Sequence, residues 1–241
     1  MDHRFRGLGV ALVTPFRPAA HNGVPPIDYA AIQRIVEHQV TGGIDYLVVM
    51  GTTGESVTLT GEERKQLLTY VIEVVKNRVP VVLGVGGNNT AEVIRQLETY
   101  DLSGVDGILS VSPYYNKPTQ EGIYQHYKAI AQASLLPIIL YNVPGRTMSN
   151  MTAETTLRLA RDFENIVGIK EASGNLDQIA VILKHRPKDF LVISADDALT
   201  LPILALGGDG VISVVGNALP QEFARLVEAA MTGDMITARR E

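Results

Sequence analysis

Residues 166–173 read Ile166-Val167-Gly168-Ile169-Lys170-Glu171-Ala172-Ser173, an apolar run that ends in a lysine and a glutamate side by side. The run is short, β-branched and apolar at successive positions, the pattern of a strand buried on both faces. A lysine at the carboxyl end of such a strand is poorly solvated, and desolvation disfavours its charged form. At an ordinary pKa near ~10.4 only roughly one lysine in a few thousand is a free amine at pH 7, so a nucleophilic lysine needs that help. From this stretch alone, an ion pair between Lys170 and Glu171 or another carboxylate is an equally good reading. The rest of the chain separates the two.

Similar runs recur at 9–13, 46–50, 79–85, 107–111, 136–142, 166–170, 190–194 and 210–215, about eight in all. Amphipathic stretches at 29–40, 62–76, 90–102, 122–134, 152–161 and 175–184 lie between them. Strands alternating with helices at this spacing predict βα units and a parallel sheet covered on both faces. Their number and even spacing predict an α/β fold of the (β/α)8 TIM-barrel type, a single domain over 1–241, with an open doubly wound sheet as the alternative. Helix starts are marked by Thr60 before Gly61-Glu62-Glu63 and, in the same manner, by Thr90 and Thr152. Pro80, Pro137 and Gly207-Gly208 mark turns that lead into strands.

Composition narrows the chemistry. The 241 residues carry a formal charge of -5, are 46% hydrophobic and include no cysteine. Disulfides, iron–sulfur clusters and thiolate catalysis are therefore excluded. A mildly acidic chain without a Lys/Arg cluster argues against a nucleic-acid or anionic-membrane partner. The five histidines are scattered, with no two-histidine metal spacing, so no metal and no cofactor is expected. The start, Met1-Asp2-His3-Arg4-Phe5-Arg6, lacks the apolar segment of a signal peptide, and no run approaches ~18 apolar residues. A cytoplasmic protein is expected, in which the sequons at Asn88 and Asn150 are chance matches.

In a barrel, chemistry lies where strands end and loops begin. Those positions hold Thr14-Pro15, Gly51-Thr52-Thr53-Gly54-Glu55, Gly86-Gly87-Asn88, Ser112-Pro113-Tyr114-Tyr115-Asn116, Tyr141-Asn142, Lys170-Glu171, Ser194-Ala195-Asp196-Asp197 and 213–217. Hydroxyls, amides, phenols and one lysine thus gather at one end, the composition of a proton-relay site and not of a metal site. In the 51–56 loop two glycines let backbone N–H groups approach a small anion, although a helix-start motif has the same form. Gly84-Val85-Gly86-Gly87-Asn88-Asn89 lacks the last glycine of a dinucleotide fingerprint and reads as a tight turn. Gly207-Gly208-Asp209-Gly210 precedes the last strand and so reads as a turn at the barrel's bottom. Tyr141 alone would be a packed core tyrosine.

The motifs GTTGES (51–56), SPYYNKP (112–118), YNVPGRT (141–147) and GIKEASGN (168–175) occur in this order, each at a strand end. With them the chain resembles the pyruvate-dependent Schiff-base aldolase superfamily, most closely its 4-hydroxy-tetrahydrodipicolinate (dihydrodipicolinate) synthase family, from Gly9 to about Pro220. The resemblance implies condensation of pyruvate with L-aspartate 4-semialdehyde in lysine and diaminopimelate biosynthesis. It implies that Lys170 forms the imine and that Tyr141 relays protons above it, linked through Thr52 to Tyr115. Thr52 and Thr53 fall where the family binds the keto-acid carboxylate, Arg146 where it holds the carboxylate of the second substrate, and Ile212 where a backbone carbonyl lies near pyruvate. In the family the tyrosine matching Tyr115 reaches in from a neighbouring subunit, so a homo-oligomer is implied, a homotetramer built as a dimer of dimers.

Sister aldolases that cleave N-acetylneuraminate or 2-keto-3-deoxy sugar acids share the lysine and tyrosine. Arg146 and the Tyr114-Tyr115 pair favour the synthase. A non-catalytic keto-acid-binding barrel is the reading from another class, and the full set of site residues speaks against it. Two departures stand out. Ser56, Asn88, Glu92 and Tyr114 match the family's lysine-inhibition pocket, but Gly61 and Arg64 stand where lysine-sensitive members carry histidines. A cation at Arg64 opposes a cationic ligand, so weak or absent lysine inhibition is expected. Family members also continue past the barrel with a helical segment, most of which is expected to be missing from a chain that stops at Glu241, within or just after the eighth helix. Exposed apolar surface and lower stability are the expected result.

Overall fold

The computed structural model describes residues 4–19 and 23–241. Met1, Asp2 and His3, part of the stretch inspected for a signal peptide, lie outside the described residues. The apolar runs form β1 (Gly7–Ala11), β2 (Tyr46–Val49), β3 (Val81–Gly84), β4 (Gly107–Val111), β5 (Ile138–Asn142), β6 (Ile166–Glu171), β7 (Leu191–Ser194) and β8 (Gly210–Ser213). Each pairs in parallel with the next, and β8 pairs back onto β1, so the sheet closes into an eight-stranded barrel. The expected TIM barrel is what the chain forms, and closure removes the open-sheet alternative.

Outside the barrel run α1 (Tyr29–Thr41), α2 (Gly61–Val75), α3 (Thr90–Thr99), α4 (Gln120–Ala133), the short α5 (Pro144–Thr147), α6 (Ala153–Asp162), α7 (Leu176–His185), α8 (Thr200–Ala205), α9 (Pro220–Thr232) and α10 (Met235–Arg240). The chain therefore carries a complete helix after β8 and a further short one. Thr60 caps α2 in a reciprocal capping box with Glu63, and Thr152 caps α6. The expected cap at Thr90 is corrected. Asn89 caps α3 by accepting from Glu92 N, because its extended backbone suits the cap, and the Thr90 hydroxyl turns to His126 Nδ1 at 2.8 Å.

Two apolar cores follow from strand alternation. Side chains facing outward, such as Leu47, Ile108, Leu140 and Ile169, pack with the helices, whereas Val48, Val82, Leu109, Ile139, Tyr141, Ile193 and Ile212 fill the barrel interior. At the amino end of the strands Phe5 meets Tyr46 edge to face, ring centroids 5.9 Å apart. Gly207-Gly208-Asp209-Gly210 is a turn at that end, as read from the sequence. Asp209 there accepts from Arg6 Nη2 at 2.7 Å and Val192 N at 2.9 Å and contacts Arg186, which ties the seam between first and last strands.

One irregularity sets the site. Ile138 pairs with Ile166 but Ile139 pairs with Gly168, so Val167 is an extra residue in β6. Side chains alternate along a strand, and a one-residue shift turns every later one to the other face. With the bulge, Tyr141 stands opposite Lys170; without it, the same register count would place Ile169 there.

Candidate active site

Lys170 lies at the carboxyl end of β6 with 6% of its surface exposed, and its Nζ is 4.4 Å from the centroid of the Tyr141 ring. Burial pulls its pKa down to about 8, opposed by the carboxylate of Asp197 and assisted by the Arg146 guanidinium. The charged partner of Lys170 is thus not its neighbour Glu171. Strand alternation sends Glu171 outward, where it accepts from Ser173 N, Asn142 and Gln178, and no action of it on Lys170 is found. The ion-pair reading of 170–171 is overturned by the period of the strand.

Tyr141 is buried at the end of β5, and burial raises its pKa, opposed by a hydrogen bond with Thr52 and by the charge of Arg146. The phenol is therefore protonated at neutral pH and placed to pass a proton. Thr52 sits in the loop after β2, whose backbone is forced into the left-handed region at Met50 (φ 58°) and Glu55 (φ 51°). The Thr14 hydroxyl donates to Gly54 O at 2.7 Å and pins this loop to the end of β1. Thr53 follows, half-buried. The 85–89 segment links β3 to α3 without a hydrogen-bonded turn, and Gly86 packs so closely on β4 that a Cβ there would lie 2.6 Å from Val111 N.

A cavity of about 330 Å³ opens beside these groups. Thr52, Tyr141, Val143 and Arg146 line it together with Ser56, Arg64, Asn88, Glu92 and Tyr114. Lys170 is reached across the Tyr141 ring and is not itself a lining residue. Arg146 projects from α5, exposed, and influences both Tyr141 and Lys170. Ile212, fully buried on β8, belongs to the barrel-interior cluster that holds Tyr141. Tyr115 is not brought to the site within this chain: it is 86% exposed, with φ 72°.

The sequence reading missed Asp197 as the carboxylate that acts on Lys170. Its Oδ2 accepts from Val214 N at 3.1 Å and Val215 N at 3.0 Å, which locks it between the β7 and β8 loops. Its position just past a strand end was the available signal. Among the described residues no group of three or more His, Cys, Asp and Glu could hold a metal ion, and no helix is long and apolar enough to cross a membrane.

The fold is a closed parallel TIM barrel, with a desolvated lysine held against a phenol at the carboxyl ends of its strands. The chain belongs to the dihydrodipicolinate synthetase family, whose model matches residues 4–241. It is 56% identical over 238 residues to 4-hydroxy-tetrahydrodipicolinate synthase of Parabacteroides distasonis, covering 99% of this chain and 78% of that one. Dihydrodipicolinate synthase from Aquifex aeolicus superimposes with a TM-score of 0.92 at 44% identity, over 98% of this chain and 78% of that one. A structure described as the first monomeric dihydrodipicolinate synthase variant gives 0.93 at 42% identity, over 98% and 78%.

Proposed function

We propose that the chain catalyses the reaction after which its relatives are named, forming 4-hydroxy-tetrahydrodipicolinate from pyruvate and L-aspartate 4-semialdehyde, in the cytoplasm. The observation that carries this reading is Lys170 itself, buried, pulled to a pKa of about 8 and set 4.4 Å from the Tyr141 ring.

The Lys170 amine adds to the ketone of pyruvate, and loss of water gives the imine. A proton then leaves the pyruvate methyl group, and the resulting enamine carbon bonds to the aldehyde carbon of the second substrate. The amino group of that substrate displaces Lys170, which closes the ring and returns the free amine. Each step moves a proton, and Tyr141 with Thr52 provides the relay. Thr52 and Thr53 receive the pyruvate carboxylate, with the Ile212 carbonyl beside it. Arg146 matches the second substrate's carboxylate with a planar fork of donors.

Tyr115 completes the relay from a second copy of the chain, within a homotetramer. Its exposure, held by a backbone in the left-handed region, supports a role outside its own subunit. Borohydride reduction with pyruvate, followed by intact mass and peptide mapping, tests the chemistry. A stable adduct on Lys170 is expected, and turnover of aspartate semialdehyde with pyruvate should accompany it. A folded chain without adduct would overturn the reading.

A further inference from the structure

A second pairing lies one step beyond the first, on the opposite face of the same strands. Asn142 and Glu171 are register partners, just as Tyr141 and Lys170 are. Alternation sends them outward beneath the helices, where both are essentially unexposed. Asn142 Nδ2 donates to Glu171 Oε1 at 3.0 Å and Oε2 at 3.2 Å. Ser173 N donates to Oε1 at 2.8 Å, and Gln178 Nε2 on α7 donates to Oε2 at 3.0 Å. Every group that stabilises this carboxylate is a neutral amide or hydroxyl donor. A buried carboxylate without a cation is costly, and it persists only where its donors are fixed.

Asn142 also reaches along its own chain. Its Oδ1 accepts from Met151 N at 3.0 Å, and its Nδ2 donates to Asn150 Oδ1 at 2.8 Å. Asn150 Nδ2 in turn donates to Gln178 Oε1 at 2.8 Å. The segment between β5 and α6, which carries Arg146 on α5, is thereby fastened at both ends. The bulge at Val167 leaves an alternative register one residue away, and that slip would turn Lys170 from the barrel interior to the helices.

We propose that the Asn142–Glu171 pair is a positioning clamp that holds β5 and β6 in the register that sets Tyr141 over Lys170, and that anchors the Arg146 segment. The bond from Asn142 to Glu171 exists only in that register. The clamp touches no substrate, and it rests on the reading that Lys170 forms the imine.

An exchange experiment tests it. Asn142→Asp sets two carboxylates against each other, Glu171→Gln sets amide against amide, and the double variant restores a donor facing an acceptor. In folded protein each single change is expected to lower kcat and the rate of borohydride-trapped adduct on Lys170 on the order of ten- to a hundredfold, with pyruvate KM little changed. The exchanged pair is expected to recover most of the loss, the mark of a coupled pair. Should the singles not fold, Glu171→Asp keeps the charge, withdraws it from Asn142 by one methylene, and is expected to show the same split. Folded singles that lose thermal stability yet keep kcat would overturn the clamp. So would an exchanged pair that regains stability without regaining rate. A wild-type chain that forms no adduct would remove the clamp and the reading beneath it together, whereas adduct in wild type and unaffected variants removes the clamp alone.

Discussion

Tyr141 and Lys170 are register partners on adjacent strands, and the amine of one lies 4.4 Å from the ring centroid of the other. The aromatic ring takes the place of water on one side of the lysine. Burial as a whole, and not the ring face itself, weakens the hold on the proton, and the phenol lies beside the amine.

With a pKa of about 8, about one Lys170 in ten is a free amine at pH 7. The rate of adduct formation with pyruvate should therefore rise with pH through a midpoint near that value. Quenching with borohydride at fixed times across the pH range measures it. A midpoint in the range of an ordinary lysine would contradict the burial argument.

The same burial has a stability consequence. The folded pKa of about 8 lies below the ordinary 10.5, so between these values the unfolded chain binds more protons and stability rises with pH. Below the folded pKa the penalty is complete, on the order of 3 kcal/mol. Lys170→Met should thus raise the unfolding free energy at pH 7 by about 1–3 kcal/mol while abolishing the adduct, and the gain should shrink as pH passes from about 8 towards 10.5. Denaturant titration of both proteins at two pH values checks this.

Asp197 and Arg146 act on Lys170 with opposite signs. Asp197→Asn removes a charge that favours the ammonium and should move the midpoint of adduct formation to lower pH. Arg146→Met removes a charge that disfavours it and should move the midpoint to higher pH, besides weakening the second substrate. Two shifts in the same direction would refute the assignment.

Tyr115 is 86% exposed, so Tyr115→Phe should leave stability within about 0.5 kcal/mol of wild type. Turnover should fall more than pyruvate binding does. Unchanged turnover in the assembled protein would take Tyr115 out of the relay.

Ser56, Asn88, Glu92 and Tyr114 line the same cavity as Arg64, whose buried Nε finds no hydrogen-bond partner among the described residues. The guanidinium there, which acts on Glu92, repels the side chain and the amino group of lysine. Lysine titrated into the condensation assay should leave the rate nearly unchanged. A steep fall at low lysine would show that Glu92 outweighs it.

The barrel was legible because its strands are apolar on both faces and regularly spaced, and no long-range information is needed to see that. Lys170, Tyr141, Thr52 and Arg146 were expected together from strand-end motifs and the family resemblance, and the fold does bring them near one another. The partner of Lys170 was not expected. Adjacent residues on a strand face opposite ways, so Glu171 is the one carboxylate nearby in sequence that the lysine cannot face, and Asp197 comes from the loop after β7, the strand paired with β6. The bulge at Val167 carries no residue signature, since valine suits a regular strand as well. The placing of Tyr115 rested on the family resemblance alone, and within its own chain the residue is 86% exposed.

The seam at Asp209 bears on how the molecule is made. Its carboxylate receives Arg6, a residue 203 positions earlier, and β1 pairs with β8 beside it. A ribosome releases β1 long before β8, at about 5–20 residues per second. For that interval one edge of β1 has no neighbour, and an unpaired strand edge is an invitation to other chains. The nascent protein is therefore exposed to aggregation until its eighth strand emerges, and a pause in translation while β8 is still inside the ribosome should lower its soluble yield more than the same pause once β8 has emerged.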